Sequence, residues 1–298
     1  MIEPGSQRAF VRERVRATLP VLSVAGIIAA AWYVVALAVN FRQAQALASD
    51  GARWPDILLG TMSLERPLLP VPHQIAGTLI TNVVGFPATS PHSLLFHAGV
   101  TAVTAATGFG LALALGLMLA AGIVYARTLD RTLMPWIIAS QTVPVLAIAP
   151  MIVVVLGNAG LTGVLPKALI AAWLSFFPIT TAMVTGLRSP ERMHLDLMRT
   201  YNASAWDVFA KLRWPASMGF LFTGLKIAAT LALVGAIVAE LPTGAQAGLG
   251  ARLLAGSYYG QTLQIWAALV MAGLLTVLAL ALTGSLQALV VRRRGGRF

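Results

Sequence analysis

The chain has no cysteine, which excludes disulfides and thiolate metal sites. Charge is scarce too. Only 10% of its 298 residues are charged, against about 25% in a typical soluble domain. Lysine is rarer still. Lys167, Lys211 and Lys226 are followed by Ala, Leu and Ile, so the chain holds no Gly-x4-Gly-Lys-Ser/Thr phosphate-binding loop. Any ATP hydrolysis linked to this protein belongs to another chain, and no cofactor of its own is expected. There is no pair of carboxylates arranged for hydrolysis and no Ser/His/Asp constellation. His73, His92 and His97 fit no metal spacing and read as solvated or capping residues, and His194 reads as surface. The sequence gives no reason to expect an enzyme.

What is abundant is apolar sequence, at 58% of the chain. A water-soluble fold of this composition would carry a very sticky surface, whereas helices facing lipid have no such difficulty. The net charge of +11 does not indicate nucleic acid, because the basic residues sit in short runs between long apolar stretches. The uncharged run Ala17–Phe41 is longer than the apolar region of a signal peptide, about 7–15 residues, and long enough to cross a bilayer. We read it as a retained first transmembrane helix. Further spans are expected at roughly 97–125, 133–157, 163–186, 217–240 and 263–291. All must be helical, since lipid cannot satisfy free backbone groups. The fold class is an all-α membrane protein with six transmembrane helices.

Orientation follows from the basic residues. With both termini in the cytoplasm, inside segments hold 15 of the 21 Lys and Arg residues and outside segments hold five, with Lys226 inside a span. The expected organisation is one transmembrane domain over 1–298. It comprises an N-terminal tail and helix (1–41), an extracytoplasmic segment (42–96), a five-helix core (97–291) and a basic cytoplasmic tail (292–298). The proline-rich 42–96 segment should carry short surface helices. Small residues recur every four positions at Gly108, Ala112, Gly116 and Ala120, and again at Gly224, Ala228, Ala232 and Ala236. Such stripes permit close helix approach in lipid, either within this chain or against a second subunit.

The polar segment 187–216 reads as a cytoplasmic helix, a bend and a second helix. Asn202 sits at the bend and tolerates left-handed backbone better than most residues. Ser204 and Asp207 form a Ser-x-x-Asp cap. The second helix presents Ala205, Val208, Phe209 and Leu212 on one face, with Lys211 and Arg213 in its last turn and Pro215 closing it. That face must be buried, on the protein itself, on lipid headgroups or in a partner's groove.

This loop resembles the EAA loop of permease subunits of ATP-binding-cassette importers. The motif's Glu position is Asp196, its Gly is Asn202, its Ile is Leu212, and Pro215 is identical; Ala203, Ser204 and Phe209 fit the looser pattern. Further pieces are similar to the nitrate, sulfonate, taurine and small-heterocycle subgroup. They are Leu69-Pro70-Val71-Pro72, Thr142-Val143-Pro144 with Pro150, Phe176-Phe177-Pro178, Gly224-Leu225-Lys226 and Val238-Ala239-Glu240. The resemblance implies a type I importer permease fold in the bacterial inner membrane. It implies a second permease subunit, identical or paralogous, ATPase subunits docked on the loop, and an extracytoplasmic solute-binding protein. The substrate class would be a small organic anion or heterocycle.

Glu240 is the one acid near a span, before Leu241-Pro242-Thr243-Gly244 and a turn at Gly248-Leu249-Gly250. Ionisable groups there are functional candidates. We read it as a structural gate, with pairing to Arg252 or capping of the turn as the plainer roles. Gln141, Asn158, Ser175, Thr180 and Thr181 are candidates for lining a polar pathway, or for bonding their own helix backbone or a neighbour. The rival class is a self-contained secondary transporter or channel that uses Glu240.

Overall fold

The computed structural model describes residues 4–48, 53–241 and 245–293, with side chains from residue 19 onward. Pro242, Thr243 and Gly244, the side chains of Arg8 to Arg16 and the tail beyond Arg293 therefore lie outside the described residues. All regular structure among those described is helical. Among the described residues, five helices are long and apolar enough to cross a membrane, or six if one bent pair counts as a span.

The chain divides into two compact units. The first covers residues 1–81 and 256–267. Its main element is α1 (Pro4–Leu47), followed by α2 (Trp54–Thr61) and most of α3 (Pro72–Val84). α1 runs past the expected end at Phe41. No proline or glycine lies between Phe41 and Leu47, and Arg42 alone does not stop a helix. Leu22, Ile27 and Val34 are exposed, as suits a helix solvated by hydrocarbon. The proline-rich stretch 67–72 cannot satisfy its backbone by regular structure, and side chains do so instead. Buried Asn40 donates to Leu69 O at 2.7 Å and accepts from Leu69 N at 3.1 Å. Trp32 donates to Pro70 O and Thr262 to Pro67 O.

The second unit covers residues 82–255 and 268–298. It holds α4 (Leu94–Tyr125), α5 (Arg127–Ala139), α6 (Val145–Asn158), α7 (Val164–Arg188), α8 (Arg192–Thr200), α9 (Ala205–Asp207) and α10 (Trp214–Glu240). It also holds most of α11 (Leu249–Tyr258) and of α12 (Thr262–Arg293). α7 packs against both α4 and α10. Both small-residue stripes are buried within the chain. A Cβ added at Gly108 would lie 2.6 Å from Ala168 O, and one at Gly224 would lie 2.7 Å from Ala182 Cβ. The close approach therefore joins helices of one chain, which is the plainer of the two readings of the stripes.

The expected third span, 133–157, is not one helix. α5 and α6 meet at a bend of 101°. The cause is local: Val143 precedes Pro144 and takes an extended backbone, φ −75° and ψ 122°, as residues before proline are driven to do. A second difference lies at Pro215. It does not close a helix. α9, a π-helical segment at Val208–Arg213 and α10 run on without a break. Proline in a regular helix collides with the carbonyl four residues back, and the wider π turn relieves that contact. Trp214 N accordingly bonds back five residues to Phe209 O. Lys211 and Arg213 are thus not at a helix end.

Candidate functional site

The far end of α10 is locked by buried hydrogen bonds. Glu240 has no solvent exposure. Thr101 on α4 donates to its carboxylate, 3.0 Å from each oxygen, and Gly250 N donates to Oε2 at 2.9 Å. The Thr101 hydroxyl oxygen in turn accepts from Leu249 N at 2.8 Å. Gly248 N donates to Nδ1 of buried His97 at 3.0 Å, so the ring proton sits on Nε2 and is given to Pro91 O at 2.8 Å. Three consecutive amides, 248–250, are therefore each held by a side chain from α4 or α10. These amides open α11, where a helix dipole favours a carboxylate. Gly248 has φ +123°, and any Cβ there would collide with the Glu240 carboxylate. Glu240 does not pair with Arg252. That guanidinium reaches His92 O at 3.5 Å, its Nε is buried without a partner, and burial lowers its pKa.

The near end of the same helix is built differently. α8 closes in a Schellman arrangement: Asn202 N donates to Arg199 O at 2.8 Å and Ala203 N to Met198 O at 3.0 Å. Asn202 has φ +50°, the one left-handed non-glycine residue among those described. Ser204 then caps α9, its oxygen accepting from Asp207 N at 3.1 Å, and Asp207 pairs with Lys211 at 2.7 Å. Asp196 is exposed and pairs with Arg199 at 3.0 Å. Arg213 donates to Leu187 O at the end of α7, and Arg188 pairs with Asp130 of α5 at 2.9 Å. The loop is thereby tied to the ends of two membrane helices.

Ala205 is exposed, and Val208, Phe209 and Leu212 are half-buried. Phe209 packs on its own chain, against Tyr125, Trp206 and Trp214 at ring-centre distances of 6.1, 5.5 and 5.8 Å. The uncovered apolar surface is elsewhere. Met193, Leu197 and Tyr201 follow one another at i, i+4 and i+8, and they are 70%, 52% and 76% exposed. Trp206, 72% exposed, continues the patch in sequence.

Between these two ends, α7 and α10 flank an open groove of about 830 Å³. Its lining includes Gln141 from the α5–α6 bend, Phe177, Thr181 and Thr185 from α7, and Phe220 and Thr223 from α10. Among the described residues, no charged side chain lines it.

The model of the binding-protein-dependent transport system inner membrane component family matches residues 112–296. The chain belongs to this family. It is thus a multi-pass membrane protein of a transport family, with the all-helical permease fold that the resemblance implied. It is 35% identical over 159 residues to the formylaminopyrimidine transport permease protein ThiX of Halalkalibacterium halodurans, covering 53% of this chain and 62% of that one. It is 34% identical over 168 residues to the riboflavin transport system permease protein RibX of Chloroflexus aurantiacus, covering 56% and 61%. It is 24% identical over 221 residues to the putative aliphatic sulfonates transport permease protein SsuC of Bacillus subtilis, covering 74% and 78%. The matches to ThiX and RibX span about three fifths of those relatives' length.

In this family member the pathway candidates divide. Gln141 lines the groove and Thr181 lines it with Thr185. Ser175 and Thr180 do not. Both are fully buried, and their hydroxyls donate to Ala171 O and Phe176 O on their own helix. Helical periodicity turns them toward the core while Thr181 and Thr185, four apart, share the groove face. Sequence reasoning missed Thr101 and His97 as partners of the 248–250 turn, and His97 is buried rather than solvated. No local pattern marks a contact between residues 139 positions apart. It also missed Met193, Leu197 and Tyr201, although their spacing was there to be read.

Proposed function

We propose that this chain is the permease subunit of an ATP-driven importer, forming one half of a translocation pathway and coupling through loop 187–216 to a separate ATPase subunit. The family match carries the reading, and the build of the loop supports it. A capped bend at Asn202 leads into a helix that continues from Ser204 to Glu240 without a break. A push on such a helix reaches the membrane core directly. The stretch Ala205–Glu240 is 36 residues, roughly 54 Å long, so it projects well beyond a hydrocarbon core of about 30 Å. We place the projecting end, both termini and the basic runs in the cytoplasm. The exposed patch Met193, Leu197, Tyr201 and Trp206 is the surface offered to the ATPase. Phe209 instead ties the loop to α4. A second permease copy or paralogue closes the groove, and an extracytoplasmic binding protein delivers the solute. Glu240 serves as a structural fastener at the outer end. Its carboxylate already accepts from Thr101 and Gly250, an arrangement that leaves it ill placed to relay protons.

The test is co-purification of the tagged protein from its native membrane in mild detergent, beside Trp206→Glu. An ATPase subunit should accompany the wild type and be lost by at least tenfold from the variant, with membrane insertion and thermal stability unchanged. If no ATPase accompanies the wild type, and the purified chain alone transports in liposomes without ATP, the importer reading fails.

A further inference from the structure

The groove along α7 and α10 has a hydrogen-bonding sign that is set by its own helices. Thr181 donates its hydroxyl proton to Phe177 O at 3.0 Å, Thr185 to Thr181 O at 2.9 Å and Thr223 to Gly219 O at 3.0 Å. Each of these side chains therefore offers an occupant lone pairs and a methyl group, not a donor. Gln141 gives an amide hydrogen to Ser140 Oγ at 3.2 Å, which leaves its carbonyl oxygen and one N–H. The remaining walls are apolar or aromatic, and an aromatic face is electron-rich. Lys226, the cation on this stretch of α10, is not among the lining residues.

An anion entering such a groove would exchange water for acceptors, a poor trade for a charged group. A neutral solute with its own N–H or O–H groups would find partners at each step. We infer that the groove passes uncharged, donor-bearing solutes, such as neutral heterocyclic amines and amides, and disfavours free oxyanions such as nitrate or sulfonates. This rests on the reading of the groove as the solute path. It narrows that reading from two substrate classes to one.

The absence of native cysteine makes the test direct. Thr181→Cys and Thr223→Cys each introduce the sole thiol of the chain. Both are made in the full complex in native membrane vesicles, and labelling is read on the tagged chain. Two probes are compared, a neutral amide (2-carbamoylethyl methanethiosulfonate) and an anion (2-sulfonatoethyl methanethiosulfonate). Each rate is divided by that of the same reagent with free 2-mercaptoethanol. The neutral amide is expected to react at least ten times faster than the sulfonate at both positions. Equal rates, or a faster sulfonate, overturn the inference while leaving the groove as a water-accessible path. If neither probe reacts at either position in protein that has inserted, the groove is not a path, and the reading beneath the inference falls with it. Thr→Cys roughly conserves volume, and two positions on different helices guard against a local folding fault.

Discussion

At one end of α10 the Glu240 carboxylate, Thr101 and His97 take up three consecutive amides inside the fold. At the other end Met193, Leu197, Tyr201 and Trp206 lie open, while the backbone beneath them is fixed by a Schellman turn and a serine cap. The locked end spends its polar groups on the chain itself. The open end orders its backbone with local, exposed bonds and leaves its apolar side chains for something else. Substitution at the first should therefore register as stability, and substitution at the second as partnership. Local caps stabilise by about 1 kcal/mol, whereas an unpaired buried polar group costs about 1–3 kcal/mol and more when charged.

The largest break in this comparison is expected at Glu240. Glu240→Ala orphans Gly250 N and removes the acceptor of the Thr101 proton in a site without solvent. We expect a loss of about 3–5 kcal/mol, of the order seen when one member of a buried charged network is removed. Thermal unfolding in detergent checks it. Glu240→Gln keeps an acceptor and should lose less than half as much. Equal stability of all three proteins would mean that the network does not hold this end. Gly248→Ala should approach the Glu240→Ala loss, because its φ of +123° and the carboxylate beside it both exclude a Cβ.

A middle-sized effect is expected at the open end. Ser204→Ala removes the α9 cap and should cost about 1 kcal/mol locally. Hydrogen exchange at Asp207, whose amide donates to the Ser204 oxygen, should rise about fivefold, with little change in the global unfolding temperature. A drop in that temperature as large as for Glu240→Ala would erase the contrast between the two ends.

How much of this was legible in sequence tracks how local each feature is. The small-residue stripes, the Asn202 bend and the Ser204 cap rest on spacings of 3–4 residues and stand where that spacing put them, whereas among the spans the third is broken and the first runs on to Leu47. The α5–α6 break was also local. Thr142-Val143-Pro144 carries part of the resemblance, and a residue placed before proline argues for a kink on its own. Pro215 misled in the opposite direction, because a π turn can absorb a proline that a regular helix cannot. The grouping of His97, Thr101, Glu240 and Gly248 was out of reach. It joins residues up to 151 positions apart, and only packing decides which buried side chain meets which amide. Ser175 and Thr180 missed the groove because the turn of α7, not polarity, decides which hydroxyls face it.

The smallest expected effect is the most informative about the loop. Asn202, which the resemblance aligns with the glycine of the loop motif, has φ +50°. Asn is among the few non-glycine residues that adopt this conformation routinely, so Asn202→Gly should change stability by less than about 1 kcal/mol. The two residues differ in what they allow when the loop is loaded. Glycine leaves left- and right-handed backbone nearly equal in energy, so the bend between α8 and α9 would become a softer joint. If force passes through this bend, Asn202→Gly should lower the solute transported per ATP hydrolysed while leaving ATPase co-purification unchanged. Asn202→Val, which strongly resists φ > 0, should reduce both. A transport-to-hydrolysis ratio that stays constant in Asn202→Gly would mean that the stiffness lies in the helix from Ser204 onward, and that the bend only sets its direction.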